Sequence, residues 1–422
     1  MRGKLRTIEI EPARSRRRRW PDMGFFARRL EGIAPSPIAV LSQKARQLKA
    51  KGVDVIDLGV GEPDFDTPEF IKQAVVSALG RGETKYTATN GSIALRQAIC
   101  DKFARENELR YTLDQIAVSG GAKQIIFNAM MATLDPGDEV IVPAPFWASY
   151  PEIVRIAGGV PVFAPCSEAN GFTLTPEDLA AAIGPRTKWL FLNSPGNPSG
   201  AAYDVDRLRT LAAVLLDRPQ VWVMSDDIYE HLLFDGRRFA NIAQVEPRLF
   251  ERTLTLNGVS KTYAMTGWRL GYGGAPDAMI RAMSNVQTQS TTHASSLSQA
   301  GALAALTGPQ DFLADRVASF RERRDLMVQR LNGIAGLTCR RPEGAFYVFP
   351  SCAGLLDRRR PDGERLKSDQ DLALYLLEAA QVSLVPGTLF GTPNYLRLST
   401  AADIGLLRAA CDRIEAACSR LH

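Results

Sequence analysis

The chain has 422 residues, 45% of them hydrophobic and 23% charged, which is longer than one hydrophobic core usually serves and points to two domains. No apolar run approaches the ~20 residues that cross a bilayer, and the basic N-terminus leads into WPDMGFFARRL instead of an apolar stretch with a cleavage site. These features argue against a membrane partner or secretion. The six cysteines (Cys100, Cys166, Cys339, Cys352, Cys411, Cys418) and three histidines (His231, His293, His422) are scattered. Such usage fits a reducing cytoplasm and argues against a zinc site or a Ser-His-Asp site.

In chain order, residues 1–22 come first. They carry eight basic side chains (Arg2, Lys4, Arg6, Arg14, Arg16, Arg17, Arg18, Arg19) against three acidic ones (Glu9, Glu11, Asp22), which accounts for the whole net charge of +5. A basic run of this kind can touch nucleic acid or anionic lipid. So short and Arg-dense a segment buries no core, however, and reads as a disordered tail or as sequence upstream of a start at Met23. A helix-turn-helix module does not fit in it, so no nucleic-acid partner is expected.

From residue 50 to 275, apolar strand-like runs alternate with helical patterns, the signature of an α/β domain with a mostly parallel sheet. The strand candidates are QIAVSG (115–120), EVIVPA (139–144), PVFAPC (161–166), KWLFLN (188–193), VWVMSD (221–226), TLTLNG (253–258) and RLGYGG (269–274). The last two lie so close in the chain that one strand is expected to run against the rest. Beyond residue 276, DAMIRAMSNVQTQS and PQDFLADRVASFRERRDLMVQRLNGI have amphipathic helical spacing. They lead toward a second domain with strands in GAFYVFP (344–350) and YLRLST (395–400), and helices in DQDLALYLLEAA and ADIGLLRAACDRIEAACSRL. Residues 356–370 have the composition of a surface loop.

Ligands of open α/β sheets bind at the carboxyl ends of the strands, and several polar residues fall there. Gly121, Ala122 and Lys123 close one strand and open a helix, the arrangement of a phosphate cradle. A Gly-Gly turn before a helix is more often a turn alone. Asp226 ends a strictly apolar strand, where a buried carboxylate needs a cation or strong donors; a pyridinium nitrogen and a helix N-cap role fit it equally. Lys261, in NGVSKTYAMTGWRLGY, sits among small and aromatic residues that favour loss of its proton, as imine chemistry requires. Asn197 follows another strand in NSPGNPSG.

Nine motifs in order resemble the class I/II aminotransferases of fold type I that depend on pyridoxal 5′-phosphate (PLP), in the bacterial aspartate aminotransferase-like branch. They are GVGEPDFDTP (59–68), TKYTATNGSIALRQAI (84–99), GGAKQIIFN (120–128), PGDEVIVPAPFWASYPE (136–152), NSPGNPSG (193–200), DDIYEHL (226–232), SKTYAMTGWRLGY (260–272), PEGAFYVFP (342–350) and LRLS (396–399). The resemblance implies a large, mostly parallel seven-stranded sheet domain over 71–305 and a smaller α+β domain over 306–422. Residues 23–70 are expected to join the smaller domain.

It also implies roles, residue by residue. Lys261 matches the lysine that carries PLP and moves the proton at the substrate Cα, and Asp226 the carboxylate that keeps the pyridine nitrogen protonated. Asn197 and Tyr229 match the donors to the ring's phenolic oxygen, and Trp147 the aromatic stacked on the ring. Gly121, Ala122, Lys123, Ser260 and Arg269 fall at phosphate contacts, and Tyr86 matches a tyrosine reaching the phosphate of a neighbouring subunit, so a homodimer with shared sites is implied. Arg397 matches the fork around the substrate carboxylate, with Gly61 helping through its backbone. The implied reaction is a ping-pong transfer between an L-amino acid, aspartate first, and a 2-oxo acid such as 2-oxoglutarate. Alternatives are aromatic or aliphatic amino acids, prephenate, or a PLP lyase reaction. No metal is implied.

The sequence departs from the branch at two positions. Ala34 stands where a basic residue helps recognise dicarboxylic substrates, and Ile38 where a small hydroxyl residue is common. A charge-assisted contact of that kind is typically worth about 1.5 to 3 kcal/mol; Lys123 is the remaining nearby cation.

Overall fold

Twelve strands appear in the computed structural model, which describes Phe25, residues 27–30, Ile33 and residues 37–422. In chain order they are β1 (Ile56–Asp57), β2 (Ile116–Ser119), β3 (Glu139–Ala144), β4 (Val160–Pro165), β5 (Thr187–Asn193), β6 (Trp222–Asp226), β7 (Thr253–Gly258), β8 (Gly271–Gly274), β9 (Tyr347–Val348), β10 (Val382–Ser383), β11 (Val385–Pro386) and β12 (Leu396–Ser399). The basic tail and Ala34 lie outside the described residues, as does the side chain of Ile38.

The large sheet has seven strands in the order β2-β8-β7-β6-β5-β3-β4. All neighbours are parallel except β8, which runs against both β2 and β7. The strands of this sheet read as continuous apolar runs because helices cover both faces: Val140, Ile141 and Val142 of β3 are all fully buried, on two different core clusters. β8 starts two residues later than its apolar run suggests, because Thr266–Trp268 forms a 3-10 turn and Arg269 takes φ 53°. Its first residue must be glycine. A Cβ on Gly271 would lie 2.1 Å from the Ala122 nitrogen, so the missing side chain is what lets the helix Ala122–Thr133 close onto the sheet.

A second core gathers Ile56, Leu58, Met327, Leu331, Leu372, Leu376, Leu398, Leu407 and Ile414. There β1 pairs in parallel with β10, and β12 lies between β11 and β9 in an antiparallel sheet. The helices Phe312–Asn332, Asp369–Ala379 and Ile404–Cys418 fall where the amphipathic patterns predict them. Asp403 caps the last of these, accepting from the Gly405 and Leu406 nitrogens at 2.8 and 3.4 Å, a contact worth about 1 kcal/mol. GAFYVFP forms only a two-residue strand: Ala345 takes φ 57° and Pro350 has no N–H to give a ladder.

Candidate active site

The carboxyl ends of β5, β6 and β7 bring Asn193, Asp226 and Gly258 to one edge of the sheet, and Lys261 follows three residues after Gly258. Asp226 is 6% exposed. One of its oxygens accepts the Tyr150 hydroxyl at 2.5 Å and the other receives the Ile228 N–H at 3.4 Å. The chain turns after Asp226 without starting a helix, so an N-cap role is not its job here. Burial raises this carboxyl to about 6, against the opposing pull of Tyr150 and, more weakly, Lys261.

The Lys261 amine donates to the Gly61 carbonyl and lies 5.9 Å from the centre of the Phe346 ring. Burial, and then the Arg397 charge, push it down to about 8. An amine that loses its proton near neutrality is a nucleophile, which an ordinary surface lysine is not.

Gly121 holds φ at 104°, and a Cβ there would lie 2.5 Å from Arg269 Nη2. Close approach of backbone and guanidinium makes a cup of Arg269 and the first N–H groups of the helix Ala122–Thr133, which no helix pairs internally; Ser260, two residues beyond β7, is buried. Arg269 is anchored by donation to the Thr266 carbonyl at 2.8 Å. Lys123 projects at the rim, 4.7 Å from the Trp147 ring centre; burial, then Arg269, lower its proton affinity.

Arg397 is 2% exposed on β12 and faces no carboxylate within ion-pair distance among the described residues. Its guanidinium donates to Asn197 Oδ1 at 3.0 Å and to the Gly59 carbonyl, while its buried Nε has no partner. The Tyr347 ring lies 4.8 Å from it, and the Tyr347 hydroxyl is 2.9 Å from that of Tyr229. A Cβ on Gly61 would come within 2.8 Å of that hydroxyl. A desolvated, under-partnered guanidinium is a receptor for a planar anion.

The family model described as aminotransferase class I and II matches residues 53–414. This chain belongs to the class I and II aminotransferases. It is 56% identical over 395 residues to an aspartate aminotransferase of Rhizobium meliloti (strain 1021), covering 94% of this chain and 96% of that protein. An aspartate/prephenate aminotransferase of Cereibacter sphaeroides is 52% identical, covering 94% and 100%. Among solved structures, the Rhizobium meliloti aspartate aminotransferase superposes with TM-score 0.92 at 55% identity, covering 94% of this chain and 99% of that one. The Thermus thermophilus aspartate aminotransferase with maleate gives 0.87 at 42%, covering 94% and 100%.

Class I and II aminotransferases depend on PLP, and this chain's donor set suits that molecule. A phosphate matches the cup whose glycine cannot carry a side chain, a ring nitrogen matches the buried Asp226 carboxylate, and an aldehyde matches the amine at Lys261. Tyr86 does not converge on this aminotransferase's site within one chain: it is 91% exposed, its ring edge-on to His293 at 5.5 Å. Two residues that touch the site, Tyr150 and Tyr347, escape sequence reasoning, since a tyrosine in an apolar run has the pattern of ordinary core.

Behind the site, Glu106, Glu230 and His231 bring ligand-type atoms within 4.8 Å of one another. The Lys102 amine already bonds Glu230, and Asn107 and Asn257 donate to the same carboxylate at 2.7 and 2.6 Å. The group is a buried ion cluster with its cation built in.

Proposed function

We propose that this aminotransferase binds PLP and transfers the amino group of aspartate to a 2-oxo acid, 2-oxoglutarate being the expected acceptor. The observation that carries the reading is that Asp226 and Lys261, at one edge of the large sheet, meet Arg397 of β12 where the two cores join, Lys261 and Arg397 donating to the Gly61 and Gly59 carbonyls of one segment. The relatives named for aspartate, at 56% and 52% identity, support the substrate. When bound, PLP supplies the electron sink for the charge left on the substrate Cα. Asp226 holds a proton on the ring nitrogen, and Lys261 Nζ takes the Cα proton and returns it. Arg397 grips the α-carboxylate, and Asn197, which already holds that guanidinium, keeps the fork in its plane. Gly121, Ala122, Lys123, Ser260 and Arg269 hold the phosphate; Trp147 covers the ring, Tyr229 donates to its phenolic oxygen, and Gly61 offers its backbone to the substrate.

The working unit is a homodimer in which Tyr86 completes the partner's phosphate site. Exposed Val76, Leu79 and Ile93 near Tyr86 in the chain, at 61%, 54% and 67%, give that pairing an apolar surface. No helix among the described residues is long and apolar enough to cross a membrane, and we place the enzyme in the cytoplasm.

The test is a half-reaction screen: each amino acid is added to the PLP-loaded enzyme and the loss of visible cofactor absorption is timed. Aspartate reacts fastest if the reading holds. A second reading, an aromatic amino donor, draws on Ala34, and fast reaction with phenylalanine but not aspartate selects it; prephenate, named for the Cereibacter sphaeroides relative, is a 2-oxo acid and is tested as the acceptor in the second half-reaction. Ammonia release without an oxo acid acceptor selects a lyase.

A further inference from the structure

Tyr150 opens the helix Tyr150–Ile156, directly after the turn that carries Trp147. It is 3% exposed and touches two of the groups proposed to grip the cofactor. Its hydroxyl donates to Asp226 Oδ2 at 2.5 Å. Its ring stands edge-on to Trp147 at 5.3 Å and 89°, and edge-on to Phe191 at 5.1 Å and 73°. Among the described residues, the one other hydrogen bond to the Asp226 carboxylate is the long contact from Ile228.

We propose that Tyr150 is a positioning residue for the cofactor, holding the Asp226 carboxylate charged and aimed while its ring buttresses Trp147. This inference rests on the PLP reading above. A carboxylate buried with one weak backbone donor tends to take up a proton and turn freely about its last torsion. A phenol hydroxyl on one oxygen removes both freedoms: it stabilises the anion and fixes the carboxylate plane, so the second oxygen remains for a ring N–H. Burial holds the Tyr150 proton firmly, so the phenol is a donor throughout the working range. Since the ring also braces Trp147, one side chain sets the spacing between an edge contact and a face contact of the same bound ring.

The experiment is a double-mutant cycle on PLP affinity, read by titrating apoenzyme with PLP and following the bound visible band. Tyr150→Phe keeps the aromatic packing and deletes the hydroxyl. A hydrogen bond to a charged group of this strength corresponds to roughly a tenfold or larger loss of affinity. Tyr150→Phe in an Asp226→Asn background is expected to add little further loss, because the hydroxyl acts through the carboxylate. Thermal melts of both apo variants report folding, independent of the cofactor. Wild-type affinity in Tyr150→Phe overturns the proposal, as does an equal loss in both backgrounds, which would assign the hydroxyl to packing. Failure of the unaltered chain to bind PLP at all would instead sink the underlying functional reading.

Discussion

The Lys261 amine donates to the carbonyl of Gly61, a residue 200 positions earlier in the chain. That contact joins the large-sheet edge to the segment leaving β1, so the amine sits where the two cores meet. Lys261→Ala is expected to abolish the visible band of bound cofactor and to cut turnover by at least roughly a thousandfold, within the range for a positioned acid–base group. Absorption spectra and steady-state rates check this; an intact band in the variant would remove Lys261 from the mechanism.

Attachment of PLP needs the neutral amine. Burial and Arg397 lower Lys261 to about 8 from 10.5, so the apoenzyme should capture cofactor faster as pH rises, with a midpoint near 8. The same shift has a stability consequence. A lysine whose folded-state proton affinity is lowered costs the fold below pH 8, and that cost disappears as pH rises from 8 toward 10.5. Stopped-flow capture rates across pH decide it; a midpoint near 10.5 would mean the amine is ordinary.

Arg397 meets Asn197 and a backbone carbonyl, with no carboxylate within ion-pair distance among the described residues, and leaves Nε unpartnered. Arg397→Ala is expected to raise KM for every amino acid substrate, by about tenfold to a hundredfold, the worth of a charge-assisted contact. Arg397→Lys should restore only part, because an ammonium cannot fork. An effect confined to one amino acid would assign Arg397 to side-chain recognition.

The seven strands were legible because each follows an apolar run and most are buried on both faces, β4 being the partly exposed edge; Lys261, Asp226 and Asn197 stood out because their motifs end or follow a strand, and Arg397 because its motif forms one. Tyr150 and Tyr347 were not. The Tyr150 contact to Asp226 spans 76 residues and the Tyr347 contact to Tyr229 spans 118, and no local spacing encodes a meeting that only the strand order creates. The Lys102 cluster was hidden for the same reason: its helix, Ile93–Asn107, has the mixed charge pattern of a solvated surface, yet Lys102 is fully buried.

The phosphate cup makes its own prediction. Gly121→Ala places a methyl 2.5 Å from Arg269 Nη2 in a backbone conformation, φ 104°, that alanine rarely adopts. Stability should fall by more than about 1 kcal/mol, and PLP affinity should fall further than stability alone explains, since Arg269 must shift. Isothermal titration with PLP and with inorganic phosphate separates these effects. Unchanged affinity for both ligands would place the phosphate elsewhere.

Lys102 tests the ion cluster behind the site. Its side chain is 1% exposed, and it bonds Glu230 and approaches Glu106 at 3.5 Å. Burial alone would raise Glu106, but His231 and Lys102 outweigh it and hold that carboxyl at about 2; Glu230 is lowered by the same Lys102 charge against its own burial. Removing the cation leaves two acids inside the protein without it, so Lys102→Met should cost about 3 to 5 kcal/mol in urea unfolding. The double variant Lys102→Met with Glu230→Gln should recover part of that, since one stranded charge is gone. The acid limb follows from the sign of the shifts: lowered carboxyls stabilise the fold above their unfolded value of 4.5 and lose that contribution as pH falls toward 2. In Lys102→Met the acid transition should therefore move to higher pH. A loss below about 1 kcal/mol would show that the two carboxylates find other partners or take up protons at little cost.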